Sequence, residues 1–320
     1  MKTLNEVYSA LWMRRRYEVW FVRMGLADGS GAWWFRYLLM NRGRGGCAGI
    51  PSGMPVQVWA TWFPRDGKPQ SFIQGFPLEG LELSARNQSP FHLCIADNEI
   101  GEDFCRGVLA GDGRRISWDL RYPSTFRVTL SNKGWIGFSR SPHSDALFSG
   151  KITLDGRSFE GNPLGFGVQG HNCGYKHRNF WTWAHVNFSR PEGQPATTLE
   201  AVVYDMPFLI FRKAVLWHDG KQYEFRRLEE IRREPRQFAW NFRSSTRQGM
   251  KLEVDIDGSG PCLHRLPYLK TDCKGSFEVL NNSLARATLR LQFPDESVAI
   301  LETTTGAVLE MAGHLLQAKS

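Results

Sequence analysis

The sequence predicts an all-β protein of two β-barrel domains packed together, with few short helices. Three observations predict this. Short runs of β-branched and aromatic residues are punctuated by Gly, Pro, Asn and Asp at intervals of about 8–12 residues, the spacing of a sandwich or barrel. Aromatic residues reach 13%, with twelve Trp, and aromatics favour strands and apolar pockets. The length of 320 residues is long for one core and comfortable for two domains.

The first strand is predicted at Tyr17–Met24, ending at Gly25, and LADGSG connects it to a returning strand at Trp33–Met40. Met54–Phe63 makes a third strand, stopped by the turn Pro64-Arg65-Asp66-Gly67. Downstream, Gly107–Leu109 turns through Ala110-Gly111-Asp112-Gly113 into Arg115–Tyr122, whose Ile116, Trp118 and Leu120 alternate. Gly150–Leu154 and Arg157–Glu160 flank Asp155-Gly156, and Ala214–Trp217 and Gln222–Arg226 flank His218-Asp219-Gly220-Lys221. Two later pairs are Phe238–Arg243 with Met250–Ile256, and Ala285–Phe293 with Val298–Thr303. A short helix is expected over Asn5–Arg16 and a single turn over Leu228–Arg233. Asn162-Pro163-Leu164-Gly165-Phe166-Gly167 breaks the strand rhythm, which places the domain boundary between residues 165 and 166. The glycine runs GSG at 29–31 and GRGG at 43–46 open no helix, so neither is a dinucleotide loop.

The formal net charge is +8. A basic balance permits anionic partners, but the charge is dispersed, and Glu224, Glu229, Glu230 and Glu234 interleave the arginine-rich run at 226–236. That pattern reads as a solvated surface, and no nucleic-acid-binding motif is present, so no nucleic-acid partner is expected. No stretch approaches the roughly 18 apolar residues of a membrane helix. The six cysteines hold no CxxC, and residues 1–20 lack an apolar leader core, so free thiols in the cytoplasm are expected.

One segment concentrates chemistry. Three of the eight histidines, His171, His177 and His185, fall between residues 171 and 185. From Phe180 onward the pattern alternates, putting Trp181, Trp183, His185 and Asn187 on one strand face and Phe180, Thr182, Ala184, Val186 and Phe188 on the other. Two large rings followed by two polar groups suit a barrel cavity better than a core, because an unpartnered buried polar group costs about 1–3 kcal/mol.

This segment resembles the signature of tocopherol cyclases, carotenoid hydratases and related two-domain lipocalin-like proteins. Tyr175-Lys176-His177-Arg178-Asn179 is similar to the cyclases' Tyr-x-Glu-Lys-Asn-Trp-Gly element, and Trp181-Thr182-Trp183-Ala184-His185-Val186-Asn187 to their Trp-x-Trp-x-Gln-x-Asn strand. SGKITLDGRSFEG at 149–161 and RISWDLRY at 115–122 resemble segments of hydratase-like members. The resemblance implies two lipocalin-like barrels with a cavity near their junction. It also implies cofactor-free hydration, cyclisation or pericyclic ring closure of a small hydrophobic or polycyclic substrate. The family's acidic residue aligns with His177, and the Trp-Gly after the Asn is missing. An imidazole suits carbonyl or enol chemistry near neutral pH better than protonation of an unactivated alkene.

The candidate site follows. His177 is the leading acid/base, with His185 and Tyr175 as catalytic partners. Trp181 and Trp183 would stack on the substrate, and Asn187, His171, Arg178 and Arg36 would bind it. Arg178 and Lys176 could bind a substrate carboxylate or enolate, and at most one of them is expected to face the cavity. Arg36, set among apolar residues between Phe35 and Tyr37, snorkels, meets a partner or faces the cavity. Glu200 or Asp205, on the next strand, could orient a histidine. His171, Cys173, His177 and His185 are ligand types that suit zinc, but their spacing matches no zinc pattern, so no metal is assigned. Cys173 as a nucleophile ranks lower still. The competing reading is a non-catalytic carrier or sensor of a hydrophobic ligand. A histidine–carboxylate hydrogen bond inside the cavity would separate the two, since a carrier can do without it. The oligomeric state and the substrate are not legible in the sequence.

Overall fold

The structure, a computed structural model, describes residues 4–5, 7, 16–40, 47, 53–85, 88–124, 126–132, 137–188, 197–206, 208–231 and 238–313. Among these residues every regular element is a strand. The helix expected over Asn5–Arg16 falls mostly outside the described residues. The turn expected at Leu228–Arg233 is replaced, where described, by a two-residue strand, Glu229–Glu230, paired to Arg243 and Phe242.

The first sheet has twelve strands: β1 (Tyr17–Leu26), β2 (Gly31–Met40), β3 (Val56–Pro64), β4 (Gln70–Phe76), β5 (Glu82–Leu83), β6 (His92–Ile95), β7 (Asn98–Gly101), β8 (Phe104–Gly111), β9 (Arg114–Arg121), β10 (Val128–Asn132), β11 (Gly137–Leu154) and β12 (Arg157–Gly174). The second has ten: β13 (Trp181–Phe188), β14 (Thr197–Met206), β15 (Leu209–His218), β16 (Lys221–Phe225), β17 (Glu229–Glu230), β18 (Ala239–Ser245), β19 (Lys251–Asp257), β20 (His264–Leu269), β21 (Ser276–Gln292) and β22 (Val298–Ala312). Both are curled antiparallel meanders in which the first strand pairs with the last, β1 with β12 and β13 with β22. This is the arrangement of two lipocalin-like domains, as the sequence predicts.

Each sheet changes pairing along one long hairpin. β11 and β12 have 18 residues each and bend at register shifts, and β21 and β22 do the same. Asn162–Gly167 therefore lies inside β12 rather than breaking the strand rhythm, and the changeover between sheets falls at 175–180, beyond the boundary expected at 165/166. Gly167 allows β12 to lie on β1, since a Cβ there would sit 1.9 Å from the Arg23 carbonyl oxygen.

Three apolar clusters follow from strand alternation. Trp20, Val22 and Met24 of β1 and Trp33, Phe35 and Tyr37 of β2 fill the first sheet. Ala184, Val186 and Phe188 of β13, with Leu199, Trp240 and Leu289, fill the second. The opposite faces meet: Phe21, Ala32, Trp34 and Val168 pack against Trp183, Val202, Tyr204 and Val308. Arg23, on the β1 face turned to this junction, is fully buried and donates to the backbone carbonyls of Ser283, Thr305, Gly306 and Ala307, clamping β1 to the bulged turn of β21 and β22. Cys47 and Cys273 form a disulfide. The expectation of six free thiols fails for this pair, and with it the ground for a reducing compartment. Among the described residues no helix is long and apolar enough to cross a membrane.

Candidate functional site

A cavity of about 280 Å³ opens at the junction of the two sheets. The first sheet supplies Tyr17, Val19 and Phe21 from β1, Trp34 and Arg36 from β2, Phe138 from β11 and Cys173 from β12. The second supplies Trp181 and Trp183 from β13, Val202 and Tyr204 from β14, Tyr268 from β20 and Glu310 from β22. The connecting segment adds Tyr175, Lys176, His177 and Arg178.

Six of the nine expected site residues therefore meet in the cavity wall: Tyr175, His177, Arg178, Trp181, Trp183 and Arg36. Lys176 and Arg178 both line it, where only one was expected; residues two apart share a face wherever the chain is extended. His177 stacks on Tyr17 with ring centroids 4.3 Å apart, and Trp181, Tyr268 and Phe277 surround its other sides. Burial, and then the nearby Arg36 cation, push its pKa down to about 3, so the imidazole is neutral at physiological pH. Its Nδ1 is buried without a partner. Tyr175 carries the Arg16 guanidinium over its ring at 3.8 Å, and Arg178 lies 5.1 Å above the Tyr204 ring.

The other three lie outside the cavity wall. His171 is fully buried, stacked on Trp20, with Nε2 2.9 Å from Glu18 Oε1 and Nδ1 3.0 Å from the Leu4 carbonyl oxygen. His185 Nε2 donates to the Ser144 carbonyl at 2.7 Å, and burial lowers its pKa to about 3. Asn187, four residues past Trp183, donates to Thr198 Oγ1 at 3.0 Å. The histidine–carboxylate bond that would mark an enzyme is thus present at His171 and Glu18, but not in the wall. Among the described residues no three His, Cys, Asp or Glu side chains gather as a metal site. Burial, then the Glu18 carboxylate, hold the Cys173 thiol well above its ordinary pKa, the opposite of an activated nucleophile.

The sequence reading missed the cavity's carboxyl. Glu310 stands opposite Trp183 in the β13–β22 ladder. It is buried, and burial raises its pKa although Arg36 and three hydrogen bonds oppose the shift. Trp181 Nε1 donates to Oε1 at 2.9 Å, and Tyr268 OH and Asn281 Nδ2 donate to Oε2 at 3.0 and 3.4 Å. A lone acid in the apolar run Ala307-Val308-Leu309-Glu310-Met311-Ala312 was a signal of the kind that drew attention to Arg36. Tyr268 and Tyr17 carried no such signal.

A second buried carboxyl sits behind Trp183. Glu200 Oε1 accepts from Ser141 Oγ at 2.7 Å and Trp183 Nε1 at 3.1 Å, and Oε2 from Ser144 Oγ at 3.2 Å. It bridges the sheets rather than orienting a histidine. Burial raises its pKa to about 7. Asp205 instead accepts from Asn179 Nδ2 at 2.6 Å and from the Phe180 amide at 3.2 Å, fixing the connecting segment to β14.

Two curled antiparallel sheets with a cavity at their junction define the two-domain lipocalin-like fold, and solved proteins of that fold superimpose over nearly the whole chain. CghA, solved with Sch210972, has a TM-score of 0.62 at 14% identity, covering 94% of this chain and 89% of its own. Kievitone hydratase from Nectria haematococca has a TM-score of 0.57 at 11% identity, covering 98% and 95%. An AttH-type protein from Nitrosomonas europaea has 0.56 at 13%, covering 96% and 94%. At such identities the likeness establishes the fold. No family model and no curated protein sequence matches the chain.

Proposed function

We propose that the protein is a cofactor-independent enzyme of isomerase, cyclase or hydratase type, acting on a small hydrophobic or polycyclic substrate in the junction cavity. The observation that carries this reading is Glu310, a buried carboxyl of raised pKa in an otherwise aromatic wall. A carboxyl pKa raised toward neutrality in a cleft suits proton transfer at neutral pH, and a positioned general acid contributes about 10²–10⁴ in rate. Glu310 would deliver or accept the proton, with Tyr268 rotating its hydroxyl as the charge changes. Neutral His177 would exchange a proton with an enol or carbonyl oxygen. Trp181, Trp183 and Trp34 would hold the apolar skeleton and keep water from the reacting atoms. The resemblance of the segment at 175–187 to cyclases and hydratases supports the reading, as does the presence of a hydratase among the structural neighbours.

The carrier reading keeps one specific support, the lack of a histidine–carboxylate bond among the described residues of the wall. One experiment separates the two. Purified wild type and Glu310→Gln are incubated with a small-molecule extract of source cells, followed by mass spectrometry. An enzyme converts a compound to a product of equal mass, or one differing by a water, and the variant loses at least a hundredfold in rate (about 10² from general acid–base catalysis). A compound that is bound but unchanged by both proteins would establish the carrier instead.

A further inference from the structure

Arg36 is 6% exposed and reaches the cavity wall from β2. Its guanidinium carbon lies 4.6 Å from the Trp59 ring and 4.1 Å from the Tyr268 ring, two rings that meet edge to face with centroids 5.7 Å apart. A guanidinium hydrogen-bonds at its planar edge, and neither ring supplies an acceptor there. At that edge Nη1 is buried without a partner. The nearest carboxyl in the wall does not serve it, because the oxygens of Glu310 accept from Trp181, Tyr268 and Asn281. Arg23 differs in that both of its terminal nitrogens reach backbone carbonyls, four in all, and only its Nε is left without a partner. A buried donor with no acceptor is rare in folded proteins and costs more when charged. His177 Nδ1, on the same wall, is a second buried atom without a partner.

We propose that the cavity selects ligands carrying an anionic oxygen head, a carboxylate or an enolate, seated on the edge of Arg36, with an apolar ring body along Trp34, Trp183 and Phe138. The inference rests on the reading of this cavity as the substrate site. An oxygen anion supplies the acceptor that Nη1 lacks and forms a charge-assisted bond in a dry setting, while neutral His177 adds a donor at its free nitrogen. Lys176 and Arg178 on the same wall add positive potential. A neutral ligand of the same shape could offer only an uncharged acceptor, without the charge-assisted bond.

The test compares 2-naphthoate with 2-naphthamide, alike in shape and different in charge, by titration calorimetry at neutral pH. The wild type is expected to bind the carboxylate at least about tenfold more tightly than the amide. Arg36→Met, which keeps an unbranched apolar side chain against the two rings, is expected to abolish the preference. Arg36→Lys, which keeps the charge, should retain part of it. Equal affinities on the wild type, or a preference that survives Arg36→Met, would overturn the proposal. The wild-type comparison decides even where the variant does not fold. Binding of neither compound is a different failure, and would overturn the cavity itself as the ligand site.

Discussion

Glu200 links the two sheets through a carboxyl that is protonated over part of the physiological range, and its contribution to stability can be worked out. In the folded chain it holds its proton up to about pH 7, whereas its ordinary value is 4.5. Between those values the folded state binds more protons than the unfolded state, so stability falls as pH rises through the window and levels off above it. A difference of 7 − 4.5 = 2.5 units, at about 1.4 kcal/mol each, gives roughly 3 kcal/mol. Glu200→Gln resembles the protonated acid: its carbonyl can accept from Ser141 and Trp183, and its amide can donate to Ser144 Oγ. The variant should match the wild type near pH 4 and exceed it by roughly 3 kcal/mol near pH 8. Urea unfolding of both proteins at several pH values measures the difference. The wild-type curve alone does not isolate it, because His177 and His185 act in the opposite sense. Their folded values near 3 lie below the ordinary 6.5, so their contribution is complete above pH 6.5 and is lost as pH falls. A variant-minus-wild-type difference that stays flat across pH would refute the assignment of a raised Glu200 pKa.

Two further perturbations test the architecture. Arg23→Met removes the donors that hold four carbonyls at the junction. Leaving them buried and unpaired should cost at least about 3 kcal/mol in denaturant unfolding, and a loss below about 1 kcal/mol would mean that water or repacking replaces the clamp. Cys47→Ser opens a cross-link spanning 226 residues of sequence. The chain-entropy argument predicts a loss of up to about 5 kcal/mol, matched by reducing the wild type, and mass analysis of the unreduced protein should show one disulfide.

The hairpins were legible because each rests on local chemistry. Asp112-Gly113, Asp155-Gly156 and Asp219-Gly220 all adopt the left-handed conformation their turns require, and the strands on either side pair as the alternation predicts. The face assignment of β13 was legible for the same reason. Its Ala184, Val186 and Phe188 enter the second core, while Trp181, Trp183 and His185 turn toward the first sheet. The strand pattern could not show how far the cavity extends along that face. Residues two apart on a strand are separated by about 6.6 Å, so Trp183 reaches the cavity while His185 passes beneath Ser144. Nor could it show Cys47 meeting Cys273, because nothing local selects a partner so distant in sequence.

The same limit applies to the histidines. The sequence concentrates its histidines at 171–185, and the fold spends two of them on structure, His171 against Glu18 and His185 against β11. What it assembles instead is a wall whose charged members come from opposite ends of the chain, Arg36 from β2 and Glu310 from β22, joined through Tyr268, which stacks on one and hydrogen-bonds the other. Arg36 is the one charged residue of β2, and Glu310 is the one charge in the apolar run 307–312 of β22, and each would be costly to bury without a use. Burial raises the Glu310 pKa while Arg36 pulls it down. Binding an anion at Arg36 would neutralise that pull and raise the Glu310 pKa further, bringing the proton to the carboxyl at the moment the substrate arrives.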